Sequence, residues 1–145
     1  MKNSIAERIA DFLKNYPPFT SLIYSELVDI SKQIHVLHME KNQVLFKVGD
    51  QTHGFFYVVK EGAIGLSVNS DAEETLIDKC DEGDILGLRP FFAKNNYLMT
   101  AKAREESLIY AIPIEIFKPY VSQNAEVLSF LLESFASNTR NPYDK

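Results

Sequence analysis

Phe55-Phe56-Tyr57-Val58-Val59-Lys60-Glu61-Gly62-Ala63-Ile64-Gly65-Leu66-Ser67-Val68 reads as two β-strands joined by a tight turn. Aromatic and β-branched residues suit a pleated, half-buried surface, and Lys60-Glu61-Gly62 breaks the run between them. The pattern extends in both directions. Upstream, from His35, the apolar period falls from about 3.6 residues to 2. Val36, Leu37 and Met39 precede the turn Glu40-Lys41-Asn42-Gln43, and Val44, Leu45, Phe46 and Val48 follow it. Downstream, the polar loop Asn69–Glu74 leads into Thr75–Cys80, and Asp81-Glu82-Gly83-Asp84 turns the chain again. Leu98–Ala103 and Ser107–Ile112 read as further strands. Short strands at regular spacing, separated by turns, predict an antiparallel sandwich or roll rather than βαβ units.

Helices flank this β region. Ile5, Ile9, Phe12 and Leu13 fall three and four residues apart, with Ser4 as N-cap and Glu7 as its capping-box partner. Tyr16-Pro17-Pro18-Phe19 ends that helix, because proline lacks an N–H and disfavours the α region in the residue before it. Leu22, Leu27, Ile30 and Ile34 predict a second helix capped by Ser25. Pro113–Pro119 reads as a short helix opened by one proline and stopped by the other. Asn124–Ser137 carries a broad apolar face of Val127, Leu128, Phe130, Leu131, Leu132 and Phe135. Residues 1–137 are expected to form one domain. The polar segment 138–145 is expected to be a tail or the start of a linker to a further module.

At 145 residues the chain suits a single core without disulfide or metal staples. A formal charge of −5, with basic residues only in isolated pairs, argues against a nucleic-acid surface. The lone Cys80 rules out an internal disulfide and points to a reducing compartment; its strand-end position reads as small core filling. Glu7, Arg8 and Asp11 interrupt any apolar run near the N-terminus, so no signal peptide or membrane span is expected and the cytoplasm is the default. His35, His38 and His53 have no ligand spacing, so no metal site is expected. Asp81, Glu82 and Asp84 read as a solvated turn. No Gly-x-Ser-x-Gly, phosphate-loop or dinucleotide glycine motif is present, and the chain is not expected to be an enzyme.

The stretch Gly83–Ala103 differs in chemistry from the strands around it. Gly83 and Gly87 permit positive φ or close approach, and Pro90 fixes φ where a short helix can begin. If Leu88–Ala93 form a helical turn, its unpaired N–H groups offer a place for an anion. A Gly/Pro-rich connection between strands accounts for the same residues without a ligand.

Val44-Leu45-Phe46-Lys47-Val48-Gly49-Asp50, Phe56-Tyr57-Val58-Val59-Lys60-Glu61-Gly62-Ala63-Ile64 and Gly83-Asp84-Ile85-Leu86-Gly87 together closely resemble the cyclic nucleotide-binding domain of the catabolite-activator and protein-kinase-regulatory-subunit superfamily. The resemblance runs from the helix at Leu22 to that at Phe130. It implies a mostly β fold, an eight-stranded antiparallel β-roll of jelly-roll type with N-terminal helices and a C-terminal helix, whose phosphate-binding cassette is Gly83–Ala103. In that family a Glu accepts from the ribose 2′-OH and an Arg pairs with the cyclic phosphate, a carboxylate for a donor and a fork for an anion. Here the Glu position after Gly87 is Leu88, and the Arg position is Tyr97. Arg89 is a candidate substitute cation, and Tyr97 can donate one neutral hydrogen bond. Leu98, Met99 and Thr100 occupy the strand that faces purine and phosphate in the family, although Thr100 can equally point outward.

Two functions fit. In the first, the chain is a regulatory sensory domain in bacterial signal transduction. A cyclic nucleotide or other phosphate-bearing small molecule then meets Gly87, Leu88, Arg89, Tyr97, Leu98, Met99 and Thr100, and binding shifts the C-terminal helix through a hinge near Pro119. The resemblance supplies a downstream signalling or nucleotidyltransferase module as partner, and the amphipathic last helix suits a homodimer. In the second, the roll binds no nucleotide, apolar residues at 88 and 97 fill the pocket, and the module serves packing or dimerisation.

Overall fold

The alternation around Phe55–Val59 is resolved by burial on both faces of one strand. In the computed structural model, which describes residues 4–70 and 72–137, Phe56 and Val58 pack into one apolar core while Tyr57 and Val59 pack into another. A strand covered on both sides needs apolar residues at successive positions, which is why this stretch reads as a continuous run.

Eight strands are described: β1 His35–Met39, β2 Val44–Phe46, β3 Phe55–Glu61, β4 Ile64–Ser70, β5 Glu73–Cys80, β6 Ile85–Leu86, β7 Thr100–Ala103 and β8 Ser107–Pro113. They form two four-stranded sheets, ordered β1-β8-β3-β6 and β2-β7-β4-β5. Every pairing is antiparallel. The expected antiparallel β-roll with flanking helices is the fold observed. Between the sheets lie Met39, Phe46, Tyr57, Val59, Ile64, Leu66, Leu86, Tyr97, Met99 and Ile109. The outer face of the first sheet, through Phe56, Val58, Tyr110 and Ile112, packs against the helices.

Those helices are α1 Ile5–Leu13, α2 Tyr24–Ser31, α3 Arg89–Ala93, α4 Ile114–Gln123 and α5 Ala125–Ser137. Among their fully buried residues are Leu13, Leu27, Phe117 and Val127, joined by Phe19 from the turn between α1 and α2. At the start of α1 the Glu7 N–H donates to Ser4 Oγ at 3.2 Å, as the capping pattern predicts. The Ser4 hydroxyl, in turn, donates to the Glu7 carboxylate at 3.0 Å. α2 starts one residue before the expected cap Ser25. Ile23 holds the cap position, and its N–H donates to the Glu26 carboxylate at 3.2 Å. Pro119 does not stop α4 but lies within it. The helix runs past the missing donor because Phe117 is fully buried and Tyr120 and Val121 pack on the same core. The break comes instead at Asn124, whose Oδ1 accepts from the Glu126 and Val127 N–H groups at 3.0 and 3.1 Å and opens α5. The expected tail or linker at 138–145 lies outside the described residues.

Candidate functional site

The connection from β6 to β7 is a built cassette. Gly87 turns the chain at φ +84°, a conformation that favours glycine, and a Cβ there would stand 3.2 Å from the Tyr57 ring, a tight contact. α3 follows with Pro90 in its first turn, and Lys94 ends it in the left-handed region at φ 59°. The Lys94 N–H donates to Phe91 O at 3.1 Å and the Asn95 N–H to Pro90 O at 3.0 Å. The returning chain is then tied to the loop after β2. Tyr97 N–H donates to Asp50 O at 3.0 Å, Gly49 N–H donates to Tyr97 O at 2.8 Å, and Val48 N–H donates to Thr100 Oγ1 at 3.1 Å.

Tyr97 occupies the roll side of this cassette. Its ring lies 3.9 Å from that of Phe46 at an interplanar angle of 11°, a stacked pair, and it is only 1% exposed. Its hydroxyl accepts the backbone N–H of His53 at 3.2 Å. The Tyr57 hydroxyl meets His53 Nδ1, also at 3.2 Å. Burial raises the pKa of both phenols; for Tyr97 the His53 N–H opposes that effect and Asp50 adds to it. Neither phenol supplies charge at neutral pH. Among the described residues the buried polar side chains are Ser31, Ser67 and Ser107, so no Lys or Arg is buried against the roll interior.

The residues singled out from the sequence divide between the two cores. Tyr97 and Met99 belong to the roll. Leu88 is 2% exposed, but in the helical core with Leu131 and Phe117. Arg89 follows it to that side. The Arg89 guanidinium lies 5.9 Å from the Phe135 ring of α5, beside a cleft of about 430 Å³ lined also by Tyr16, Phe130 and Ser134. Leu98 is half-buried, and Thr100 spends its hydroxyl on the Val48 backbone. The structure therefore brings Gly87, Tyr97 and Met99 together with the roll and sets Leu88 and Arg89 against α5. Sequence reasoning missed Phe46, Tyr57 and His53 as partners of Tyr97. The first two were signalled by their strand period, whereas His53, in an irregular loop, carried no signal.

A family model described as the cyclic nucleotide-binding domain matches residues 36–124, spanning β2, β3 and the whole cassette. The chain belongs to this family. Among solved structures, the chain is similar to the sensor domain of the transcriptional regulator DNR from Pseudomonas aeruginosa. Identity is 16% and the TM-score 0.80, over 93% of this chain and 92% of that one. It is similar to the regulatory domain of Toxoplasma gondii protein kinase A in complex with cAMP, at 19% identity and a TM-score of 0.70, covering 79% of this chain and 43% of that one. A third is the regulatory subunit of a cAMP-independent protein kinase A from Trypanosoma cruzi bound to guanosine, at 14% identity and a TM-score of 0.67, covering 97% and 53%. The chain thus spans about half the length of the kinase subunits and nearly all of the bacterial sensor domain. None of the curated proteins matches it. Among the described residues no helix is long and apolar enough to cross a membrane, and no three His, Cys, Asp or Glu side chains gather as a metal site.

Proposed function

We propose that this domain is a regulatory sensor for an uncharged, nucleoside-type ligand, which enters the roll by displacing Tyr97 and signals through α5. The observation that carries the reading is the stacked Tyr97–Phe46 pair, with Leu88 and Tyr97 standing where the resemblance places the family's Glu and Arg. A buried phosphate without a cationic partner forgoes a charge-assisted bond of roughly 1.5–3 kcal/mol. A purine or other flat ring that replaces the phenol on Phe46 loses nothing of that kind and inherits the His53 N–H as a donor. The guanosine complex of the Trypanosoma cruzi relative supports this ligand class.

Output follows from the division of the cassette. A shift of Gly87–Tyr97 carries Leu88 and Arg89, which pack on Leu131 and beside Phe135 of α5. α5 then turns about the break at Asn124. Leu128 and Leu132, 40% and 59% exposed and one turn apart, give α5 an outward stripe for self-association or for a downstream signalling module. The Pseudomonas aeruginosa sensor domain supports a setting in bacterial signal transduction.

A thermal-shift panel of guanosine, adenosine, their linear monophosphates, cyclic AMP, cyclic GMP, ATP and inorganic phosphate tests the reading. A ligand at a hundredfold excess over its Kd stabilises by roughly 2.7 kcal/mol, several degrees for this size. A nucleoside shift larger than that of its cyclic nucleotide is the expected result. A larger shift with the cyclic nucleotide would refute the charge argument, and a flat panel would leave the packing and dimerisation module as the function.

A further inference from the structure

The sequence scatters its cations, but the fold collects three of them. Lys41, from the β1–β2 turn, and Lys102 and Arg104, from the end of β7, line one depression of about 300 Å³ on the outer face of the second sheet. We propose that this depression is a binding site for a small phosphate-bearing molecule, separate from the cassette.

Three features of the floor suit that use. Gly65 is the second residue of β4 and has no positive φ, so the turn chemistry that usually calls for glycine is absent. A Cβ there would come within 3.2 Å of Arg104 Cγ and 3.0 Å of Leu76 Cδ1, so glycine lets the stem of Arg104, which lines the depression, lie across the strand. Ser67, two residues on, adds a hydroxyl and is 3% exposed. The β4–β5 pairing slips between Leu66 and Ser67, an irregularity of the kind that re-aims side chains beside sites.

The charge balance selects the ligand. Among the described residues Glu74 is the only carboxylate lining the depression, against three cations, in a chain whose formal charge is −5. Among the described residues the Glu74 carboxylate reaches Lys102 Nζ at 2.9 Å. It is half exposed and free to turn to solvent, so it acts as an internal anion that an arriving phosphate replaces. The guanidinium fork and two ammonium groups match the oxygens of one phosphate or diphosphate. A volume near the lower end of ligand sites leaves room for little more than a small body attached to it. Three cations in one depression are too few for the extended backbone of a nucleic acid.

The test is an amide NMR titration of the full chain with inorganic phosphate and with pyrophosphate at constant ionic strength, against chloride as control. Saturable shifts centred on Gly65, Ser67, Lys102 and Arg104 are expected, with pyrophosphate tighter than phosphate. Lys102→Gln and Arg104→Gln should each weaken binding about tenfold, in line with the loss of one charge-assisted contact. Both side chains lie at the surface, so the spectra of the variants should keep native dispersion. Glu74→Gln should tighten binding. The proposal fails if chloride reproduces the shifts, if they survive in the double variant, if Glu74→Gln leaves affinity unchanged, or if they centre on Gly87–Tyr97 instead.

Discussion

Residue 97 shows how one side chain can both complete a core and guard it. Truncating Tyr97 to Ala removes a stacked, fully buried ring and should cost about 3–5 kcal/mol in urea unfolding. Tyr97→Phe keeps the stack and loses only the acceptor of the His53 N–H, so about 1 kcal/mol is expected. Tyr97→Arg restores a cation on the roll side of the cassette and should move preference from guanosine toward cyclic AMP, read by calorimetric titration. Leu88→Glu should not add to that gain, because position 88 faces the helical core, and a carboxylate there destabilises the fold. The phenols also set an alkaline limit. Burial raises the folded pKa of Tyr57 and Tyr97 above the ordinary value of 10.0. A raised folded pKa favours the neutral phenol, so this contribution is complete below pH 10 and is lost as pH climbs above it. The melting temperature should therefore fall above pH 10, and less steeply in Tyr57→Phe. Leu88 and Tyr97 were legible in the sequence as departures from the family pattern. Their surroundings were not, since a backbone turn at Gly87 sends Leu86 to the roll and Leu88 to the helices, and α3 then returns the chain to the roll at Tyr97, none of which a side-chain period encodes.

At the scale of elements, the α4–α5 junction is the most informative. Asn124 caps α5 through two backbone N–H groups, and its own amide donates to Ser21 O at 3.2 Å, which ties the junction to the turn before α2. Asn124→Ala should cost about 1 kcal/mol in denaturant unfolding and raise hydrogen exchange in the first turn of α5. The same variant should weaken any ligand-dependent change in α5 exchange, because the break about which that helix turns is loosened. Seven of the eight described strands and most helices were readable from period and turn residues alone, whereas the two-residue β6, inside the cassette, was not. Pro119 and Ser25 misled for different reasons: burial of Phe117 carries α4 past the proline, whereas a local hydrogen bond from the Ile23 N–H to the Glu26 carboxylate moves the start of α2 one residue forward.

Across the whole molecule, the roll was legible from the order of its strands, while the partition into two cores was not, because an apolar run shows that both faces are covered and not by what. The partition is the sheet β1-β8-β3-β6, in which β3 and β8 serve the roll with Tyr57, Val59, Ile109 and Ala111 and the helices with Phe56, Val58, Tyr110 and Ile112. The cassette touches both compartments, but each of its buried residues belongs to one: Leu88 to the helices, Tyr97 and Met99 to the roll. Sequence drift is therefore constrained unevenly. A substitution in the shared wall must satisfy two neighbourhoods at once, whereas one in the cassette or on the outer face answers to a single one. Cassette positions such as Leu88 and Tyr97 can therefore accept new chemistry at the expense of one core, while any change in the wall is felt in both.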